Sequence, residues 1–273
     1  MSRKRKLPQL YLAFVFLVLY APILYLMYYS FNSAGTMHGF EGFTLEWYDE
    51  VFHDTRLLII VLNTVVIALL SSALSTIIGV VGAIAIDRVH RNKPKNALLA
   101  MNNVLIVSPD VIIGASFLIF FTMLGIKLGF TSVLLSHIAF SVPIVVLMVL
   151  PKLQEMSPTL IDAARDLGAS GWGVISKVVL PFIKPGIFAG FFMALTYSLD
   201  DFAVTFFVTG NGYTTLSVEI YSRARQGISP SINALSTLIF LFTVILVVGY
   251  YFITRKGKGD KEASRPNWGV SQP

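Results

Sequence analysis

The chain has 273 residues, of which 55% are hydrophobic and only 13% are charged, and its mean hydropathy is +0.72. Such a composition leaves too little polar surface to cover a soluble globule and predicts a membrane protein. The sequence contains no cysteine, which excludes disulfides, thiolate metal sites, iron-sulfur clusters and a cysteine nucleophile. The formal net charge of +6 must be interpreted by the side of the membrane on which the basic residues lie.

Apolar runs long enough to cross a bilayer, which takes roughly 18 residues or more, recur along the chain. The first run follows the basic start Arg3–Lys6. It is longer than a secretory signal and has no small-residue cleavage site, so we interpret it as a retained span. The predicted permease domain covers residues 9–254, with a cytoplasmic N-terminus at 1–8 and a cytoplasmic tail at 255–273. Its six predicted spans are approximately residues 9–31, 57–86, 97–125, 131–150, 186–209 and 232–254.

Basic residues are distributed unevenly over the two sides of these spans. Seventeen of the 21 Lys and Arg residues lie in the N-terminus, the loop 87–96, the segment 152–185 and the tail. The other four lie on the opposite side: Arg56, Lys127, Arg223 and Arg225. Because cytoplasmic loops carry the excess of Lys and Arg, both termini and the segment 152–185 are predicted to be cytoplasmic. The basic excess is therefore a topology signal, and nucleic acid is not an expected partner.

A polar island, Pro158–Pro181, separates the fourth and fifth predicted spans. Its first half has apolar residues at helical spacing, and Gly168 follows at the position of a left-handed cap. Its second half repeats the spacing and is expected to stop at Pro181. The island is too short to span a bilayer, so we expect a helix-turn-helix that docks on a partner at the membrane face. Its two apolar faces comprise Leu160, Ala163, Ala164 and Leu167, and then Val174, Ile175, Val178 and Val179.

The island resembles the EAA loop of ABC-importer permeases, whose pattern is Glu-Ala-Ala, three residues, Gly, nine residues, Ile-x-Leu-Pro. Here Asp-Ala-Ala at 162–164 is followed by Gly168 at the same spacing, and Val-Val-Leu-Pro lies at 178–181. The two departures, Asp for Glu and Val for Ile, keep charge or shape. The resemblance implies a site that receives the closing motion of a cytosolic ATPase, formed by Asp162, Ala163, Ala164, Gly168, Leu180 and Pro181.

Polar residues inside the fifth span are the main candidates for a solute path. A carboxylate in the bilayer core costs several kcal/mol unless it faces water or a cation. At helical spacing, Ser198, Asp201 and Thr205 form one polar stripe, and Tyr197 and Asp200 form another. Either stripe can line a path for a cation, with carboxylates for charge and tyrosine for cation-π contact. The alternative is a pair of carboxylates satisfied by another helix or by the outer interface.

Three further residues are open to two interpretations. The sequence Ser108-Pro109-Asp110 interrupts the third span, with Ser108 as a cap and Asp110 in a first turn where the helix dipole favours negative charge. A broken helix at mid-membrane depth is equally a place where transporters build sites, so Asp110 is also a path candidate. Glu219 and Trp47 can form an outer gate or vestibule, or simply lie at the membrane interface.

Catalytic and metal-binding motifs are lacking from the sequence. It has no Gly-x-x-x-x-Gly-Lys-Ser/Thr, so we expect the chain not to bind ATP itself. Its four histidines are scattered, which argues against a zinc site, and His137 in the fourth span is expected to be packed and hydrogen-bonded. Ser170 lies in a Gly-x-Ser-Gly sequence like that of rhomboid proteases, but no histidine follows it to act as a base. No catalytic residue, cofactor or metal is therefore expected.

Three stretches are similar to permeases of the spermidine/putrescine importer family: Gly-Phe-Thr-Leu-Glu-Trp-Tyr at 42–48, Ser-Pro-Asp at 108–110, and Ser-Leu-Asp-Asp at 198–201 with Phe-Val-Thr-Gly at 207–210. This resemblance covers nearly the whole chain. It implies an all-α membrane protein of six transmembrane helices with the type I ABC importer permease (MetI-like) fold and a cytoplasmic EAA coupling helix.

The same resemblance implies a polyamine cargo and a location in a bacterial inner membrane. The implied partners are a cytosolic ATPase homodimer that holds ATP and Mg²⁺, a second, PotB-like permease subunit, and a periplasmic or extracellular polyamine-binding protein. The alternatives are a permease for another small solute such as iron or thiamine, and a membrane scaffold that recruits a partner without transport. A passive channel is a third alternative, but it has no use for a coupling loop.

Overall fold

The structure, a computed structural model, describes residues 6–227 and 230–245. Outside its helices an isolated antiparallel bridge joins Asn32 and Phe43. The predicted all-α class is confirmed. In chain order the helices are α1 (Lys6–Tyr29), α2 (Glu46–His53), α3 (Thr55–Asp87), α4 (Asn92–Val107), α5 (Asp110–Met123), α6 (Phe130–Gln154), α7 (Pro158–Asp166), α8 (Gly171–Val174), α9 (Leu180–Asp200), α10 (Ala203–Val208), α11 (Leu216–Gln226) and α12 (Pro230–Ile245), with a π-helical turn at Ile175–Val179.

The predicted number of six spans is not confirmed. Among the described residues, four helices are long and apolar enough to cross a membrane: α1, α3, α6 and the continuous helix Gly171–Asp200. A fifth is added if α4 and α5, which are bent by 102° relative to each other, form one broken span. The sixth predicted span, 232–254, is described only as far as Ile245. Its remainder and the predicted tail 255–273 lie outside the described residues.

The interruption predicted in the third span is confirmed, because α4 ends at Val107 and α5 begins at Asp110. The predicted capping role of Ser108 is wrong. Its hydroxyl donates instead to the carbonyl oxygen of Val104 at 2.6 Å, and so satisfies the end of α4 rather than the start of α5. Asp110 occupies the first turn of α5, as expected.

The helix that contains most of the fifth predicted span, 186–209, begins earlier and ends earlier than that range. The helix already begins at Gly171 and passes through Pro181, which was expected to stop it. Pro181 lies in the first turn of α9, directly after the π-helical turn, where a missing backbone N–H and the proline ring are tolerated. At the other end the helix stops at Asp200, so most of the stretch predicted to continue to residue 209 belongs to the separate helix α10.

The described residues form two compact units, one within residues 6–55, 223–227 and 230–245 and the other of residues 56–222. In the first unit, Asn32 organises the loop that follows α1. Its side-chain nitrogen donates to the carbonyl oxygens of Thr36 and Gly39, at 2.8 and 2.5 Å. The backbone oxygen of Asn32 accepts a hydrogen bond from the indole nitrogen of Trp47 at 2.8 Å. These contacts fix the loop against the start of α2.

In the second unit, α3 presents a stripe of small buried residues to its neighbours. Helices in lipid gain little hydrophobic energy by associating, so small residues that allow close packing are favoured at their contacts. The stripe leads into an apolar cluster shared by α3, α6 and α9, which includes Ala83, Val149 and Ile183. The small buried residues of the stripe are Ala68, Ser71, Ser72, Ser75, Gly79 and Ala83.

A second apolar cluster fixes the short helix α10. Val204 and Val208 of α10 pack with Ile113 of α5 and with Val133 and Phe140 of α6. The start of α10, immediately after the end of α9, is therefore held between two other helices of the same unit.

The close approach of α3 and α6 predicts that alanine destabilises the protein at one glycine of α3 but not at another. An alanine Cβ at position 79 would lie 2.6 Å from Val145 Cβ, whereas one at position 82 would lie 3.7 Å from Val146 Cγ2. Both changes remove the same unfavourable helix propensity, but overpacking at position 79 is expected to cost about 1–3 kcal/mol. Gly79→Ala should lower the melting temperature of the detergent-solubilised protein, and Gly82→Ala should not. Equal melting temperatures for the two variants would contradict this packing.

Candidate functional site

The side chain of Asp201 lies at the break between α9 and α10 and accepts hydrogen bonds from the start of α10. Its Oδ1 accepts from the backbone N–H of Val204 at 3.2 Å. Its Oδ2 accepts from the backbone N–H of Thr205 at 2.8 Å and from the Thr205 hydroxyl at 2.6 Å. The first amides of a helix have no partner within the helix and favour a negative charge nearby. Asp201 thus stabilises the helix break, with only 8% of its side chain exposed.

A buried polar network links Asp201 to side chains of α3, α6, α9 and α10. His137 of α6 is fully buried, and its Nδ1 lies 2.6 Å from Ser198 Oγ while its Nε2 lies 2.8 Å from Thr205 Oγ1. Ser198 Oγ also lies 3.0 Å from Ser71 Oγ on α3. The predicted stripe of Ser198, Asp201 and Thr205 is therefore one hydrogen-bonded group. The prediction that His137 is packed and hydrogen-bonded is confirmed.

A cavity of about 130 Å³ lies beside this network. Three of the path candidates line it together: Asp110 at the start of α5, Tyr197 on α9 and Asp201 at the helix break. The rest of its wall consists of Leu, Ile, Met, Phe and Val side chains from α4, α5, α6, α9 and α10. Two carboxylates and an aromatic ring on an apolar wall suit a cation that carries a hydrocarbon chain.

Other path candidates lie elsewhere. Asp200 is exposed and does not line the cavity, although it is adjacent to Asp201 in sequence. Ser198 lies behind the cavity as a buried member of the network. Trp47 belongs to the other compact unit, where Asn32 holds its indole nitrogen.

Glu219 lines a different cavity of the second unit, formed by the start of α3, the loop 209–214 and α11. Its side chain is 7% exposed and accepts a hydrogen bond from Arg56 Nη2 at 3.2 Å. Tyr213 lines the same cavity, and burial raises the pKa of its hydroxyl to about 12. The hydroxyl thus stays protonated and donates to the backbone oxygen of Asn63 at 3.4 Å. Sequence reasoning missed the partner Arg56 because 163 residues separate it from Glu219.

The polar island forms the helix α7 on the surface of the second unit. Gly168 has a φ of +80°, which confirms the predicted left-handed turn after α7. Of the four residues in the predicted apolar face, only Ala164 packs on the core. Ile161, which was not part of that face, packs there as well. The apolar faces predicted in the second half are confirmed to point inward at Val174 and Val179.

The other three residues of the apolar face predicted in the first half of the island point outward and do not pack on the core with Ala164. Leu160 and Ala163 are exposed, Leu167 is 89% exposed, and Trp172 at the start of α8 is 73% exposed. Exposed apolar side chains that form a contiguous patch are typical of an interaction surface. Of the remaining coupling candidates, Asp162 and Pro181 are exposed and Leu180 is half-buried.

The chain belongs to the family described as binding-protein-dependent transport system inner membrane components, whose model matches residues 75–258. It is 37% identical over 247 residues to the spermidine/putrescine transport system permease protein PotC of Escherichia coli (strain K12), which covers 90% of this chain and 93% of PotC. It is 36% identical over 247 residues to PotC of Haemophilus influenzae, covering 89% and 96% of the two chains. It is 34% identical over 250 residues to the putrescine transport system permease protein PotI of Escherichia coli (strain K12), covering 89% of each.

Solved structures of ABC importers share the fold. A bacterial ABC transporter involved in the import of the acidic polysaccharide alginate matches with a TM-score of 0.70 at 17% identity, covering 93% of this chain and 96% of that chain. The inward-facing MetNI methionine ABC transporter matches with a TM-score of 0.57 at 21% identity, covering 77% and 96%. The predicted type I ABC importer permease (MetI-like) fold and the predicted family are therefore confirmed. As a member of this family, the chain is an inner-membrane transport component and not an ATPase.

The cavity predicts which introduced cysteines react with a thiol reagent. The chain has no cysteine of its own, so a variant with one introduced cysteine has no other thiol that could react. Tyr197 lines the cavity, whereas Ala194, one turn earlier on α9, is fully buried. A small cationic methanethiosulfonate reagent needs water to reach a thiol. It should therefore modify Tyr197→Cys and spare Ala194→Cys in the assembled complex, as measured by mass spectrometry. An unmodified thiol at position 197 would show that this face of α9 lies against lipid or another subunit.

Proposed function

We propose that the chain is the membrane-spanning permease subunit of an ATP-driven importer that moves polyamines, spermidine or putrescine, into the cytoplasm by alternating access. The observation that supports this most is the cavity where Asp110, Tyr197 and Asp201 meet on an apolar wall. A polyamine carries ammonium groups joined by methylene chains, so it needs carboxylates and aromatic faces alternating with apolar surface. The relatives agree, since PotC is a spermidine/putrescine permease and PotI a putrescine permease.

The importer in this proposal contains three kinds of partner. A periplasmic polyamine-binding protein delivers the cargo, which is supported by the family description and by the solved alginate importer in complex with a periplasmic protein. A second, PotB-like permease subunit completes the path across the membrane. A cytosolic ATPase homodimer binds ATP and Mg²⁺ and supplies the energy, while the chain itself binds no cofactor.

The helix α7 is the proposed coupling helix. The distribution of Lys and Arg predicts that it faces the cytoplasm, as do the N-terminus and C-terminus of the chain. Leu160 and Leu167 point outward from it and are available to a groove on the ATPase. Ile161 and Ala164 pack inward on the cluster shared by α3, α6 and α9. Closure of the ATPase dimer against α7 is thus transmitted to helices that line the cavity, and hydrolysis resets them.

The cargo path runs through the cavity beside Asp110, Tyr197 and Asp201, with Ser198 supporting Asp201 from behind. Asp200, Glu219 and Trp47 stay candidates for positions outside this cavity. In the outward-facing state the carboxylates receive the ammonium groups, and in the inward-facing state they release them to the cytoplasm.

Charge removal in the path is expected to reduce transport without loss of assembly. Asp201→Asn keeps an oxygen that can cap α10, so the helix break should survive. We expect it to lower the maximal rate of labelled spermidine uptake at least about tenfold, a loss of about 1.4 kcal/mol. Asp200→Asn should lower uptake less, because Asp200 does not line the cavity. Membrane insertion, recovery of the ATPase with the complex, and uptake of an unrelated cation serve as controls. Full spermidine uptake by the double variant would remove both carboxylates from the path.

The left-handed turn after α7 predicts an uncoupled variant. Valine is strongly disfavoured at the φ of +80° that Gly168 adopts, so Gly168→Val should displace α7 from the core. In reconstituted vesicles, ATP hydrolysis should continue while spermidine transported per ATP falls. Gly171→Val is the matched control, because a Cβ at that position meets open space and its φ is not in the left-handed region. An unchanged transport-to-hydrolysis ratio in Gly168→Val would contradict the coupling role of α7.

A further inference from the structure

The hydrogen bonds behind the cavity have a defined direction. The single hydroxyl hydrogen of Thr205 is donated to Asp201 Oδ2, so the Thr205 oxygen can only accept from His137 Nε2, 2.8 Å away. Nε2 of His137 must therefore carry a hydrogen. In the neutral ring Nδ1 then accepts from the hydroxyl of Ser198. Ser198 Oγ also lies 3.0 Å from Ser71 Oγ, whose hydroxyl donates to the carbonyl oxygen of Ala68 at 3.3 Å. The directed hydrogen bonds thus run from Ser198 through His137 and Thr205 to the Asp201 carboxylate.

The two oxygens of Asp201 are unequally occupied. Oδ2 accepts from both the N–H and the hydroxyl of Thr205 and lies 3.4 Å from His137 Nε2. Oδ1 accepts a single bond, from Val204 N–H, at 3.2 Å. A carboxylate oxygen has two lone pairs, so Oδ1 has capacity for a further donor. Asp201 is also the member of the network that lines the cavity.

We propose that Thr205 and His137 are positioning residues for the cargo. They hold Oδ2 of Asp201 and thereby present Oδ1 to one ammonium group of a polyamine in the cavity. This inference rests on the proposed path through Asp201. A fixed carboxylate needs no reorientation when the ammonium arrives, which is the general advantage of a site preorganised by a second layer of hydrogen bonds.

A positioning role and a packing role of Thr205 predict opposite outcomes. Thr205 is fully buried, and valine has nearly its shape but lacks the hydroxyl. Serine keeps the hydroxyl and lacks the methyl group, and alanine lacks both. If Thr205 only fills space, Thr205→Val is tolerated and Thr205→Ser is not. If it positions Asp201, Thr205→Ser is tolerated, and Thr205→Val leaves His137 Nε2 and Asp201 Oδ2 each short of a partner.

The test uses the complete importer reconstituted in vesicles, with labelled spermidine as the cargo. We expect Thr205→Val and Thr205→Ala to lower the maximal uptake rate at least tenfold, and Thr205→Ser to stay within threefold of the unmodified chain. At position 137, His137→Gln keeps a donor and an acceptor and should retain more uptake than His137→Leu. In an Asp201→Asn background, Thr205→Ala and Thr205→Ser should no longer differ, because the residue they act through is gone.

The serine and alanine variants differ only by the hydroxyl, so their comparison stands even if Thr205→Val does not assemble. Equal uptake by these two variants, or an undiminished difference between them in the Asp201→Asn background, would overturn the positioning role. Should Asp201→Asn impair uptake while Thr205→Ala does not, the inference fails and the proposed path stands. Should Asp201→Asn transport at the full rate, the proposed path through Asp201 fails, and the positioning role fails with it.

Discussion

The structure of the second unit depends on one contact, the hydrogen bonds that the Asp201 carboxylate accepts from the first amides of α10. In a membrane there is no bulk water to satisfy the backbone groups at a break in a helix, so they must find partners in the protein. Asp201 supplies these partners and allows α9 to end where it does. The same contact places a carboxylate on the wall of an apolar cavity. The break in the helix and the carboxylate on the cavity wall therefore have a common origin.

Predictions from the sequence succeeded where the cause is local. The helical class, the break before Asp110 and the turn at Gly168 follow from hydrophobic spacing and from the backbone limits of proline and glycine. They failed where tertiary contacts decide. A π-helical turn carries the chain through Pro181, and the end of the fifth span depends on how Asp201 meets α10. Periodicity cannot show either feature.

The candidate site was predictable by residue type but not by arrangement. A carboxylate in an apolar segment indicates a site wherever it occurs, which is why Asp110, Asp200 and Asp201 were all candidates. The structure brings Asp110 and Asp201 to one cavity and leaves Asp200 outside it, because Asp200 is the last residue of α9 whereas Asp201 has extended backbone in the break that follows. The link from His137 to Ser198 and Thr205 spans 61 and 68 residues, so no local pattern could indicate it.

The helices α6 and α9 contribute both to the apolar cluster on which the proposed coupling helix α7 packs and to the wall of the proposed cargo cavity. The most direct measurement is a cryo-electron microscopy structure of the complete importer trapped with spermidine within the membrane. The account predicts an elongated density along the cavity, with one amine within about 3 Å of Asp201 Oδ1, and α7 seated on the ATPase. Spermidine bound away from Asp110, Tyr197 and Asp201 would contradict it.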